Sequence, residues 1–350
     1  MRILRIISAL LVSVLLASCG KQEPADMSGG PRPIRFGTGL SARTRAVKPD
    51  DPSVLISVGN SARIFCTREY SGLADTVFFG RRLVCDAVPD PSTPSLPYSS
   101  VWNYSPLEYW EDNGDYYFTA VFPFSNSDVS IDNSYRLHVG YLAGNNTDLM
   151  VARTHQDATV STDPVDLHFM HTTSAVRFLF GKSSASDQDN YELTAFELQN
   201  LVPSGTFMMT TRVSDPPSIS FSNWGEFGNR TNLFSWTADT PGDRKTITHP
   251  AVVSDPDGYT PMGWYYMVPQ TLSTDASVRF SVSYNNGEPV ETILNFYGAT
   301  DQNSELGTAW LPNCVYNYYI TITQSGLDLT VKTVPWDEVQ VITDDFNFEG

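Results

Sequence analysis

Apolar residues in this chain recur at every second position, in short runs separated by Gly, Asn, Asp and Pro, and nowhere at sustained helical spacing. Period two marks strands that bury one face and wet the other. The pattern predicts strands over 54–58, 62–67, 76–79 and 82–85, each rich in β-branched and aromatic residues. An aromatic block follows: Trp102, Tyr104, Tyr109 and Trp110, then the run 116–123 that begins Tyr116-Tyr117-Phe118. Rings at alternate positions read as a strand packing a core, with an aromatic ligand platform as the alternative. Further on, Val165, Leu167 and Phe169 alternate with polar neighbours, and Val176, Phe178 and Phe180 do the same.

Two hairpins are explicit. Val278, Phe280, Val282 and Tyr284 run into Asn285-Asn286-Gly287, and Val290, Thr292, Leu294 and Phe296 return. Asn-Gly supplies the positive φ that a tight turn requires. Tyr316, Tyr318, Ile320 and Ile322 likewise run into Gln324-Ser325-Gly326, and Leu327, Leu329 and Val331 return. No repeat of 20 to 50 residues is visible, which argues against propellers and solenoids. The reading is all-β, a sandwich class. At 350 residues the chain is long enough for one large β-domain or two of ordinary size, and two is the expectation. The polar, Pro-ended stretch 157–164 separates the aromatic block from the strand at Val165, so domains are predicted at 34–163 and 164–350.

The start of the chain is patterned differently. Arg2 and Arg5 precede an apolar run of eleven residues, Ile6 to Leu16, closed by Leu16-Ala17-Ser18-Cys19. The run is too short to span a bilayer, so residues 1–19 read as a secretory leader. Its end resembles a bacterial lipobox, in which Cys19 becomes the acylated N-terminus and anchors the protein to a membrane; the alternative is an ordinary leader that happens to contain a Cys. Residues 20–33, rich in Pro, Gly and charge, read as a tether.

Composition narrows the partners. With 39 acidic and 22 basic residues the formal charge is −17, which argues against nucleic acid and anionic lipid surfaces as partners, since phosphate would repel a surface of this sign. Once Cys19 is acylated, Cys66, Cys85 and Cys314 remain, enough for one bridge at most. Cys66 and Cys85 are the pair to consider, with buried thiols as the alternative. No Cys/His spacing supports a metal site, and His168 and His171, three apart on a strand, point to opposite faces. The Asp-rich spots at 187–190, 255–258 and 344–345 lack the ligand ladder of a calcium loop and read as turns. There is no nucleophile elbow, zinc-protease helix motif or phosphate loop, so no cofactor and no catalytic residue is assigned.

The order of features resembles the fimbrillin family of Bacteroidales, the Mfa-like lipoprotein subunits of surface pili. The matching pieces are the leader ending at Cys19; Ile34-Arg35-Phe36 followed by Thr44-Arg45-Ala46; Trp102 and Tyr109-Trp110 ahead of 117–123; Asp148 to Ala152; Val165 to His171; and Trp310-Leu311-Pro312-Asn313 leading through 318–322 to Val334-Pro335-Trp336. The resemblance implies two tandem transthyretin-like (Greek-key) sandwich domains and a non-enzymatic subunit delivered to the outer membrane by its lipid. It also implies cleavage by an Arg-directed protease at Arg45, with Arg43 as the competing site, and polymerisation when a strand of another subunit fills the vacated groove. A host or bacterial surface ligand is a further implied partner. The rival reading is a glycan-binding surface lipoprotein of a nutrient-uptake system, using exposed Trp and Tyr; a weaker third is a hydrolase whose site no motif reveals. Burial of Trp102, Tyr109 and Trp110 discriminates between the first two.

Overall fold

The computed structural model describes residues 30–39, 59–87, 99–111, 113–185, 189–250, 258–296, 308–323 and 326–335. Its named elements are strands joined by three single-turn 3-10 segments. The expected strand at 54–58 lies outside the described residues.

The first half is one eight-stranded sheet. Across it run Met170–His171, Met150–Asp157, Asp115–Phe122, Ser61–Tyr70, Leu73–Ala87, Ser99–Asn103, Phe36–Gly39 and Val165–Asp166. The two outermost strands are neighbours in sequence, three residues apart. The segment 165–171 therefore joins one edge of the sheet to the other, and the sheet rolls around a core of its own. Ile34, Phe36, Ile64, Phe78, Trp102, Trp110, Phe118, Val165 and Leu167 fill that core. Strand Asp115–Phe122 shows how the pleat serves two cores at once: Tyr116, Phe118 and Ala120 face into the roll, and Val121 faces the second core.

That second core lies between two further sheets. One carries Thr260–Met267, Ser174–Lys182, Cys314–Thr323 and Gly326–Pro335; the other carries Thr231–Thr237, Tyr191–Leu201, Ser277–Tyr284 and Val290–Asn295. Phe178 stacks on Tyr318 at 5.1 Å and meets Phe196 edge-on at 5.2 Å, while Phe180 meets Phe280 at 5.1 Å. This is sheet-on-sheet packing through interdigitated rings. A fourth sheet ties the halves together, because Arg136–Leu142 pairs antiparallel with Ser204–Thr210, flanked by Val129–Ile131 and Trp224–Gly225. The guanidinium of Arg153 adds a fork across the same join, donating to the carbonyls of Thr210, Asp215 and Pro216 at 2.7–3.0 Å.

Local details refine the sequence reading. The separate strands at 76–79 and 82–85 are one strand, Leu73–Ala87, with Gly80 at φ 68 beside a break in the register. At the 284–287 hairpin the positive φ falls on Asn285 and Asn286, at 48° and 60°, and Gly287 follows the turn with its N–H on the Tyr284 carbonyl. Asn tolerates the left-handed region nearly as well as Gly, so the turn moves one residue earlier than Asn-Gly predicts.

The cysteines do not bridge. Cys66 stands opposite Phe78, whereas Cys85 donates its N–H to Asn60 O and accepts from Gly59 N, just before the neighbouring strand begins. The pair is thus offset by about six residues, roughly 20 Å along the ladder, where a disulfide needs Cα atoms within about 7 Å. Cys66 is a free thiol in the roll, and burial pushes its pKa well above the ordinary value, which leaves it inert.

Phe178 meets four rings of the second core, so Phe178→Ala should lower unfolding free energy by about 3–5 kcal/mol in urea denaturation. Phe79→Ala, at an exposed ring on the sheet's outer face, should stay within about 0.5 kcal/mol.

Candidate assembly site

The segment 32–37 enters the roll with strict alternation: Ile34 and Phe36 are 1% and 2% exposed, and Arg35 between them is exposed. Ile-x-Phe in extended backbone sends both apolar side chains inward. Phe36 lodges among the rings of Phe78, Tyr104 and Phe118, with centroids 5.6–5.7 Å away.

The backbone of this segment is satisfied on both sides. On one side Phe36–Gly39 pairs antiparallel with Ser99–Asn103, and the Ile34 N–H donates to the Glu108 carbonyl at 2.9 Å. The Trp110 N–H donates to Arg32 O at 2.8 Å. On the other side it pairs in parallel with Val165–Asp166, whose chain donates from Val165 N to Arg35 O at 2.7 Å and from Leu167 N to Gly37 O at 2.9 Å. The Tyr104 hydroxyl donates to Ile34 O at 2.7 Å; burial raises this phenol's pKa, which keeps the proton in place. Arg81, ion-paired with Glu108 at 2.9 Å, holds the 104–110 wall. The first strand is therefore a plug in a groove, flanked by Ser99–Asn103 on one side and on the other by Val165–Asp166, the edge strand of the sheet.

Trp102 and Trp110 are part of that groove's core, at 2% and 5% exposure, with Trp110 4.7 Å from Tyr116 and Trp102 5.9 Å from Phe169. Tyr109, at 45%, is the open member of the trio. These three residues do not form a flat exposed platform. His168 pairs with Asp166 at the surface at 2.8 Å, whereas His171 is buried and pairs with Asp148 at 2.8 Å, so the two histidines serve different sites. Among the described residues no three His, Cys, Asp or Glu side chains converge as metal ligands. Cys19, Arg43 and Arg45 lie outside the described residues. Sequence pattern marked Ile34 and Phe36 but not their second wall, because the parallel bond to Val165 joins segments about 130 residues apart that carry no mutual signal.

A mixed, rolled all-β architecture whose first strand is clasped from both sides defines a class of sheet-built modules. The fimbrillin-like family profile matches residues 92–336, and the chain belongs to that family, whose members are fimbrial structural subunits. Two crystal structures share its fold: a candidate cell adhesion protein from Bacteroides uniformis, 15% identical over 87% of this chain and 99% of that one with a TM-score of 0.52, and another from Bacteroides ovatus, 14% identical over 90% and 100% with a TM-score of 0.51. Among curated protein sequences, none matches the chain.

Removing the Phe36 ring should open a cavity among three aromatics. Phe36→Ala is expected to cost about 3–5 kcal/mol, whereas Arg35→Ala, at the exposed position between, should change stability by less than about 0.5 kcal/mol. Equilibrium urea unfolding of the two variants checks the contrast.

Proposed function

We propose that this chain is a non-enzymatic pilus subunit that polymerises by exchange of its first strand. Cys19 carries the lipid that tethers the subunit to the outer membrane, and an Arg-directed protease cuts the linker after Arg45, or after Arg43. The released piece takes the anchor and the strand Phe36–Gly39 with it. The vacated groove then accepts an extended segment of another subunit, which regains the backbone ladder and fills the Ile34 and Phe36 pockets.

The observation that carries this reading is the double clasp. A first strand bonded on both edges is a discrete element whose loss leaves two unpaired walls, Ser99–Asn103 and Val165–Asp166, and a hole lined by Phe78, Tyr104 and Phe118. Unpaired ladders beside apolar pockets are strongly driven to acquire a strand. The rival reading, a glycan binder using aromatic platforms, loses its residues, since Trp102 and Trp110 are spent on the core.

Treatment of the purified protein with an Arg-specific protease, followed by N-terminal sequencing, should yield a product that begins at Ala46 or Thr44 and forms SDS-resistant ladders. A product cut elsewhere, or one that stays monomeric with its first strand still bound, removes the mechanism. Separately, Cys19→Ala should abolish incorporation of radiolabelled fatty acid and leave the protein outside the membrane fraction, because one acylated terminus supplies the membrane affinity in this scheme. Label that persists in the variant would sink the anchoring role.

A further inference from the structure

The sheet that joins the two halves carries a cleft on its outer face. Asp128, Gly140, Thr206 and Gly225 form one row across four neighbouring stretches of chain: Gly140 N donates to Asp128 O at 2.8 Å, Thr206 stands opposite Gly140, and Gly225 opposite Thr206. Residues paired directly across a sheet share a face. Neighbouring side chains fill the space over the two glycines that flank Thr206, the Asp128 carboxylate at Gly140 and the Met208 methyl at Gly225. Gly140 and Thr206 also line a cleft of about 420 Å³, within the range of about 300–1,000 Å³ typical of small-molecule sites.

Two carboxylates sit at the ends of the row. Asp128 lies directly over Gly140, where a Cβ would collide with its carboxylate, so Gly140 is required for Asp128 to reach this place. The loop is pinned by Asn126, whose amide donates to Gly140 O at 3.0 Å and whose Oδ1 accepts from Asp128 N at 3.1 Å. At the other end the Glu226 carboxylate accepts from the Thr206 hydroxyl at 2.7 Å. Among the described residues neither carboxylate has a cationic partner, and the Asp128 carboxylate has no donor. Exposed Leu142, two positions along from Gly140, supplies an apolar wall to the same cleft.

Ionised carboxylates accept hydrogen bonds and donate none. A ligand that suits this row must present several donors at once, have an apolar flank for Leu142, and carry no negative charge in a chain of −17. We propose that the cleft beside Gly140 and Thr206 binds a neutral saccharide, with Asp128 and Glu226 accepting its hydroxyl protons and Leu142 packing on its C–H face. This site uses none of the first-strand groove, so it stands or falls independently of the assembly reading and gives the subunit a means of adhesion.

Saturation-transfer NMR on the full chain tests it, with glucose, galactose, mannose, N-acetylglucosamine and lactose as neutral probes, N-acetylneuraminic acid and glucuronic acid as charged ones, and calcium chloride as the cation control. At least one neutral sugar should bind in the millimolar range or tighter. Asp128→Ala and Glu226→Gln should each weaken it about tenfold or more, the loss of one hydrogen bond to a charged group. Both residues are at the surface, so melting curves should stay unchanged. The proposal is overturned if no neutral sugar binds at tens of millimolar, if the acidic sugars bind better, if calcium alone binds, or if binding survives both substitutions.

Discussion

Every strand must give its backbone donors and acceptors to a neighbour or to water, and the segment 34–39 gives them to neighbours on both sides. That constraint shapes the first half of the molecule. The sheet rolls because 165–171 reaches from one edge to the other, and the first strand holds the seam between the last wall and the Ser99–Asn103 strand. Such a position imposes two demands on any occupant: extended backbone, and apolar side chains two residues apart to fill the Ile34 and Phe36 places. Exposed Arg35 shows that the intervening position is open to wide substitution.

The remainder of the fold is insulated from that seam. Phe178, Phe196, Phe280 and Tyr318 form a core that Ile34 and Phe36 do not enter. The join between halves is made by the Arg136–Leu142 and Ser204–Thr210 pair, by the Arg153 fork, and by the Trp224 indole N–H on Thr172 O at 2.9 Å. Next to that join the buried Asp148 carboxylate binds His171 and the Thr173 hydroxyl. Local opening at the first strand therefore costs part of one core while the second core and the tie between them remain paired, which is what a strand exchange without global unfolding requires.

Much of this was legible in the sequence, and the failures have physical causes. The two late hairpins and the strand around Tyr117 announced themselves because their alternation is unbroken. Strand Tyr191–Leu201 did not: Tyr191 and Leu193 point inward, but a register break between Leu193 and Ala195 moves the next inward residue to Phe196, so period two is lost mid-strand. Gly80 misled in the other direction, since a bulge within one strand reads as a gap between two. The groove was half visible. Ile34 and Phe36 were marked by their pattern, whereas the Val165 wall and the Asp128–Gly140–Thr206–Gly225 row arise from pairings between distant segments, which no local pattern encodes.

A subunit assembled by strand addition would also have to avoid pairing in the wrong place, and several open edges here are blunted, although Gly326–Pro335 is a regular ten-residue edge strand. The outer strand Thr260–Met267 contains Pro261, which has no N–H to offer, and Gly263 at φ 98. Thr231–Thr237 is distorted by Phe234 at φ 53 and by two register breaks against its neighbour. Val290–Asn295 keeps exposed Val290 and Ile293 but sets Glu291 between them, and Val129–Ile131 and Trp224–Gly225 are only three and two residues long. Charge, proline, bulges and brevity each disfavour edge pairing. The groove that the first strand covers is short but lined by Phe78, Tyr104 and Phe118, so the apolar pocket that would attract another strand is closed while Ile34 and Phe36 occupy it.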